Sequence, residues 1–336
     1  VTVRLVPNGA PGENELVRVS TGTTRSFLPV YREVLGFQGS DAVVDGSYLV
    51  IGSEAAIGLC ADLIQWKREK GYEVVVTPIE TIGSTSAAVD AYIENAFNTW
   101  ENPPEWLLLL GDETIVPVYW APSNIASDNQ YGVIGSGYDP SIHVARLCAD
   151  ASKLGYVAWK VWAHETDPYE PAASWFQHGV CLGSEDFTDP LQSFRHKQIM
   201  ANYGGMDVSL YCPVSTYGGV YPTISLLTGE FNSGVSLMTY IGHGSRTSWV
   251  TTGFSNSNVT ALSNGRRLPW IFSIACNNAE FASGGSGDCF GEAWMKSGTT
   301  AAPKGALGFM GATVSSPYGP TDSLAIHFLR GYFQHG

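Results

Sequence analysis

Short apolar runs alternate along this chain with longer segments whose apolar side chains recur every three to four positions. The first kind predicts buried strands and the second predicts helices packed on them. In the first half the pattern predicts strands over 48–51, 72–77 and 106–110, with an edge strand over 143–146. The three valines Val74, Val75 and Val76 favour the pleated conformation. Helices are expected over 53–70, stopped by Gly71, over 84–100 ahead of Pro103-Pro104, and from 150 to about 164. The second half repeats the alternation, with strands over 179–182, 208–211, 235–241, 270–275 and 305–310. Its helices fall over 191–203, 224–231, 256–262, 290–296 and 322–333. Strand and helix in regular alternation imply an α/β class with mainly parallel sheets flanked by helices.

The chemistry sits where two of these strands stop. The strand over 235–241 runs into Gly242-His243-Gly244, and the strand over 270–275 runs into Cys276. They are one strand–helix–strand crossover apart, so an imidazole and a thiol can share one rim of a sheet. Sites form at the carboxyl rim of such sheets. A histidine beside a cysteine yields a thiolate near neutral pH. Gly244 lacks a Cβ, so its amide can approach a substrate oxygen, and the amides of Gly244 and Cys276 are candidate oxyanion donors. Taken singly, His243 also reads as a satisfied loop histidine and Cys276 as a buried small hydrophobe.

The halves suggest an N-terminal α/β unit over 46–172 and a catalytic α/β unit over 173–336 that continues beyond the chain end, side by side. A polar connection opens at Asp167-Pro168 and runs to about Ala173. Residues 1–45 carry turn signals at Pro7-Asn8-Gly9 and Pro11-Gly12, and read as a strand-rich lead-in or prosegment remnant, or as an arm.

Composition narrows the classes. The chain is 44% hydrophobic and only 15% charged, with a net charge of -13, which argues against nucleic acid and anionic membranes as partners. No apolar run reaches the roughly 18 residues of a membrane span. The 38 glycines and 10 tryptophans suit a loop-rich secreted enzyme. The six cysteines form no CxxC pair, which excludes a zinc ribbon and a thioredoxin-type site. Asp112, Glu113, Asp128 and Asp139 make oxygen-rich loops of the kind that hold calcium, but they lack EF-hand spacing and read first as solvated acids.

The runs VSLMTYIGHGSRTSW, LPWIFSIACNNAEF and DCFGEAW resemble the gingipain family of cysteine peptidases, peptidase family C25, in the clan of caspases and legumains. LIQWKREKGYEVVV, WLLLLGDETIVPV and SDNQYGVIGSGYDPSIHVARL extend the likeness in consistent order over about 47–335, with Ala145 where the family has glycine. The resemblance implies a caspase-like fold and a secreted or surface endopeptidase acting on polypeptides. It implies no cofactor for the chemistry, a structural calcium, and additional C-terminal or prosegment domains. His243 matches the catalytic histidine and Cys276 the nucleophile. Glu185 matches the acid that orients the histidine in Arg-specific members, with Asp186 as the fallback. Those members carry a further acid at the start of the next helix, where Ser193 stands here. Tyr318 and Asp322 resemble the Lys-specific arrangement, so that Asp322 would pair with a substrate Lys or Arg, or simply cap the last helix. Tyr318 and Trp249 are the expected pocket walls. His196 is expected to pack on its helix, and the other histidines to be structural or exposed. The reading from a different class is an inactive caspase-like adhesion or scaffold module, against which the intact His/Cys pair stands.

Overall fold

The computed structural model describes residues 23–24, 43–44 and 46–334, except 138, 169–172, 187 and 283–286, and it leaves the side chains of 23, 24, 43, 44, 173, 318 and 334 undescribed. Two parallel sheets carry the fold. The first contains β1 (Ser47–Gly52), β2 (Val74–Pro78), β3 (Pro104–Leu110) and β4 (His143–Leu147) in the order β2-β1-β3-β4. The second contains β5 (His178–Gly183), β6 (Asp207–Tyr211), β7 (Leu237–Ile241), β8 (Trp270–Ile274) and β9 (Gly308–Gly311) in the order β6-β5-β7-β8-β9. Every pairing in both is parallel. Leu49, Ile51, Leu109, Val180 and Met238 are fully buried because helices cover both faces, which is why these strands read as unbroken apolar runs.

Helices α1 (Glu54–Leu59), α2 (Ala61–Glu69), α3 (Ser86–Thr99) and α4 (Ala151–Thr166) belong to the first sheet. The second sheet carries α5 (Asp189–Gly204), α6 (Ile224–Ser233), α7 (Asn256–Ala261), α8 (Phe290–Lys296) and α9 (Tyr318–Gln334). Capping follows residue type: the side chains of Ser53, Thr85, Asp150 and Thr223 each accept from a first-turn amide. The single helix expected over 53–70 is instead two, broken at Cys60, whose ψ of 12° leaves the helical range. Ala56, Cys60, Leu63 and Ile64 still form one buried stripe, so the pattern carries no mark of the break.

Helix α4 joins the two sheets. Tyr156 donates to the Ser297 carbonyl at 2.8 Å and Lys153 to that of Gly298 at 3.1 Å. Lys160, wholly buried, donates to the carbonyls of Trp294, Met295 and Ala306. Of the lead-in, Thr23–Thr24 pairs in parallel with Val43–Val44, and the rest of 1–45 lies outside the described residues, as does most of the connection expected over 167–173. Among the described residues no helix is long and apolar enough to cross a membrane.

Candidate active site

Strands β7 and β8 are neighbours, with Ile241 opposite Ile274. His243 and Cys276 each stand two residues beyond that pair, so the imidazole and the thiol leave adjacent strands at the same level of the carboxyl rim. The chain then departs on each side in a fixed way. After His243 it makes a small antiparallel sheet of Gly244–Ser245, Ser248–Trp249 and Phe254–Ser255, which the apolar pattern does not reveal. After Cys276 it turns through Asn277, whose φ of 60° lies in the left-handed region that asparagine tolerates.

The two turns touch at Gly244, where a Cβ would fall 2.6 Å from the Cys276 carbonyl oxygen; only glycine fits there. The ladder fixes the direction of the Gly244 amide. Val250 N–H donates to His243 O at 2.9 Å, which makes 243 and 250 the hydrogen-bonded pair. Gly244 opposite Trp249 is then the non-bonded pair, and its N–H points out of the ladder. The His243 carbonyl also accepts from the buried Tyr240 hydroxyl at 2.7 Å, which pins the histidine backbone.

Cys276 is half-buried, and its sulfur accepts from the Ser316 N–H at 3.4 Å, a donor placed where negative charge would develop. Burial pushes the thiols of Cys60, Cys181 and Cys289 up to about 12 and also raises Cys148 and Cys212, which holds these five protonated and unreactive at neutral pH.

The carboxylate beside the imidazole is Asp186, with Oδ2 3.2 Å from His243 Nε2. Glu185 is exposed and not at ion-pair distance, so the fallback takes the place expected of Glu185. The reason is local: the Asp186 amide donates to the Oγ of buried Ser184 at 3.1 Å, and Asp186 Oδ2 lies 3.1 Å from the same oxygen, which holds that side chain inward. The His243 side chain is 55% exposed, so the pair acts by orientation more than by attraction. We expect Asp186→Asn to lower kcat/KM about 5-fold, the upper end for an exposed pair, and Glu185→Gln to leave it within about 2-fold. Steady-state kinetics of both variants decides which carboxylate acts.

Below this pair lie two acids. Asp189, the first residue of α5, is buried, accepts from Ser184 at 2.5 Å through Oδ2 and has no hydrogen-bond partner for Oδ1 among the described residues. Burial raises its carboxyl pKa. Ser193 lies one turn on, donating to the Pro190 carbonyl, so the acid at the helix start is Asp189. Asp322 is buried in the second turn of α9 and is not a cap. Its Oδ1 lies 3.3 Å from Nε2 of buried His196, although neither atom has a hydrogen bond of proper angle. Asp322 therefore faces the interior rather than an open cleft. His196 packs on α5 as expected, with Nδ1 3.3 Å from Thr239 Oγ1.

Trp249 is not a pocket wall. It is 0% exposed, its ring packs with Phe231, Phe254, Phe290 and Trp294, and its Nε1 donates to Ser273 at 2.9 Å, so no substrate reaches it. Tyr318 opens α9, and its side chain lies outside what is described. Of the remaining histidines, His143 stacks on Trp106 and His178 pairs with Glu230 at 2.7 Å; His335 lies outside the described residues.

Two of the loop acids are engaged by neighbouring groups. Asp128 holds Arg146 through two bonds at 2.6 and 2.7 Å, and Asp112 Oδ1 accepts from the amide and hydroxyl of Thr114. Asp139 is exposed. Among the described residues no group of three or more His, Cys, Asp or Glu side chains is arranged to hold a metal.

The family model described as peptidase family C25 matches residues 42–336. Gingipain R2 of Porphyromonas gingivalis is 26% identical over 95% of this chain and 44% of its own length. Lys-gingipain of the same organism is 25% identical over 76% of this chain and 15% of its own. The chain thus spans less than half the length of these relatives. The crystal structure of the Arg-specific cysteine proteinase gingipain R superposes with a TM-score of 0.79, over 87% of this chain and 68% of that one, at 24% identity.

Proposed function

Since the chain belongs to peptidase family C25, we propose that it is a cysteine endopeptidase that cleaves polypeptides after lysine or arginine, at the cell surface or outside the cell. The observation that carries this reading is the placement of His243 and Cys276 two residues beyond the paired ends Ile241 and Ile274, with Gly244 packed on the Cys276 carbonyl.

The arrangement suits acyl transfer. The Cys276 thiolate adds to the scissile carbonyl carbon, and the C=O π pair moves to the oxygen, which the Gly244 and Cys276 amides would receive. Protonated His243, oriented by Asp186, gives its proton to the leaving amine as the C–N bond breaks. Water then attacks the thioester, His243 takes its proton, and the thiolate departs from the carboxylic acid product.

Asp189 favours a cationic P1 residue. A buried carboxylate oxygen without a partner is costly, and a long Lys or Arg side chain can carry a cation beneath the surface to meet it. In a panel of peptides differing only at P1, we expect Lys or Arg substrates to exceed neutral ones in kcat/KM by about 10²-fold or more. Equal rates at neutral P1 residues would sink the specificity. No turnover of any peptide under reducing conditions would leave a scaffold role.

A further inference from the structure

We infer that Asn278 is a positioning residue, which holds the Gly244 amide in register with Cys276; the inference rests on the peptidase reading above. Asn278 is fully buried, two residues after the thiol. Its Nδ2 donates across to the His-side hairpin, to Ser245 O at 2.6 Å and Ser248 O at 3.1 Å. Its Oδ1 accepts from Ser273 Oγ at 2.8 Å, and Ser273 Oγ accepts from Trp249 Nε1. The amide can sit only one way round: two carbonyls demand the NH2 on one side, and the Ser273 hydroxyl, already an acceptor, has its proton to give on the other. Every polar atom of this buried chain is used, the condition under which such a network specifies one geometry.

The network spans two pieces of backbone that also meet at the start of α8, where Phe290 N–H donates to Arg246 O at 2.7 Å and Gly291 N–H to Asn278 O at 2.8 Å. The turn after Cys276 is fixed by Asn277 N–H to Val314 O at 3.0 Å and Ala279 N–H to Ala312 O at 2.9 Å. The hairpin is fixed by its own ladder and by the Tyr240 hydroxyl. The Asn278 side chain ties one to the other at Ser245, the residue after Gly244. Relaxing that tie leaves the thiol and the imidazole on their strands but lets the Gly244 amide shift against Cys276.

The role separates from general support because two reactions of Cys276 differ in their need for the amide. Alkylation by iodoacetamide forms no oxyanion. Peptide hydrolysis does, and so does the hemithioacetal formed with a peptide aldehyde, which places a tetrahedral oxygen in the same position. In Asn278→Asp a carboxylate would face two carbonyls in place of the donor. We expect kcat to fall about 10- to 100-fold, within the span of one oxyanion donor, with KM within about 3-fold. Aldehyde affinity should fall with kcat, while the alkylation rate of Cys276 stays within about 3-fold. Ser273→Ala, which frees Asn278 Oδ1, should shift the same quantities less, and it carries the test if Asn278→Asp does not fold by circular dichroism. Unchanged kcat in a folded variant overturns the inference, as does a parallel loss of alkylation, which would mark a merely structural residue. Absence of Cys276-dependent turnover in the parent overturns the peptidase reading and this inference with it; an active parent with an equally active Asn278→Asp overturns this inference alone.

Discussion

Cys276→Ala is expected to lower peptide hydrolysis by at least about 10⁴-fold, because the variant has no nucleophile and only the oxyanion donors and substrate binding remain. The parent should be labelled at Cys276 by a thiol-reactive peptide and the variant should not be labelled at all, since burial keeps Cys60, Cys148, Cys181, Cys212 and Cys289 protonated. His243→Ala should cost a comparable factor, and the double variant little more, because the two side chains act as one unit. Mass spectrometry of the labelled protein together with kinetics checks both statements. Persistent labelling in Cys276→Ala would assign the chemistry to another thiol.

Lys160→Met is expected to destabilise the protein by about 2–5 kcal/mol without touching the chemistry. The ammonium is surrounded by the Trp294, Met295 and Ala306 carbonyls, at the seam where α4 meets α8. Trp294 O keeps a second partner, the Ala306 amide, so the substitution orphans chiefly the other two carbonyls, at about 1–3 kcal/mol each. Relief of the buried charge offsets part of this. The pH dependence has a definite sign. Burial, with nearby Lys153, lowers the Lys160 pKa from 10.5 to about 7. Between those values the unfolded chain binds more protons than the folded one, so this group makes stability rise as pH rises from 7 toward 10.5. The gap in melting temperature between the parent and Lys160→Met should therefore be wider at pH 9 than at pH 7. A gap that narrows on going to pH 9 would contradict the assignment.

Much of the architecture is legible in the amino-acid pattern. Runs such as 106–110 have apolar residues at every position because both faces are covered, and that property survives in one dimension. The break at Cys60 is invisible for the same reason: the buried stripe through Ala56, Cys60 and Leu63 continues across it. The hairpin after His243 is invisible because its strands are two residues each, too short for any period.

The site divides along the same line. His243, Gly244 and Cys276 could be read because each follows a strand that announces itself, and local order along the chain places them at the rim. Their partners could not be read, because partnership is decided by direction and depth. Glu185 and Asp186 are adjacent acids in the sequence; the contacts of Asp186 with Ser184 hold it, and not its neighbour, toward the imidazole. Trp249 looks like a pocket aromatic beside the histidine until the core of Phe231, Phe254 and Trp294 closes over it. Asp322 and His196 meet across α9 and α5, and Asn278 meets Trp249 through Ser273, pairings that no spacing encodes. The strands, their crossover order and the residues His243 and Cys276 at their ends follow from periodicity along the chain, which is a local property. Which acid lies beside the histidine, which aromatic is core and what ties the two turns together come from the folded chain, since each depends on contacts between segments far apart in the sequence.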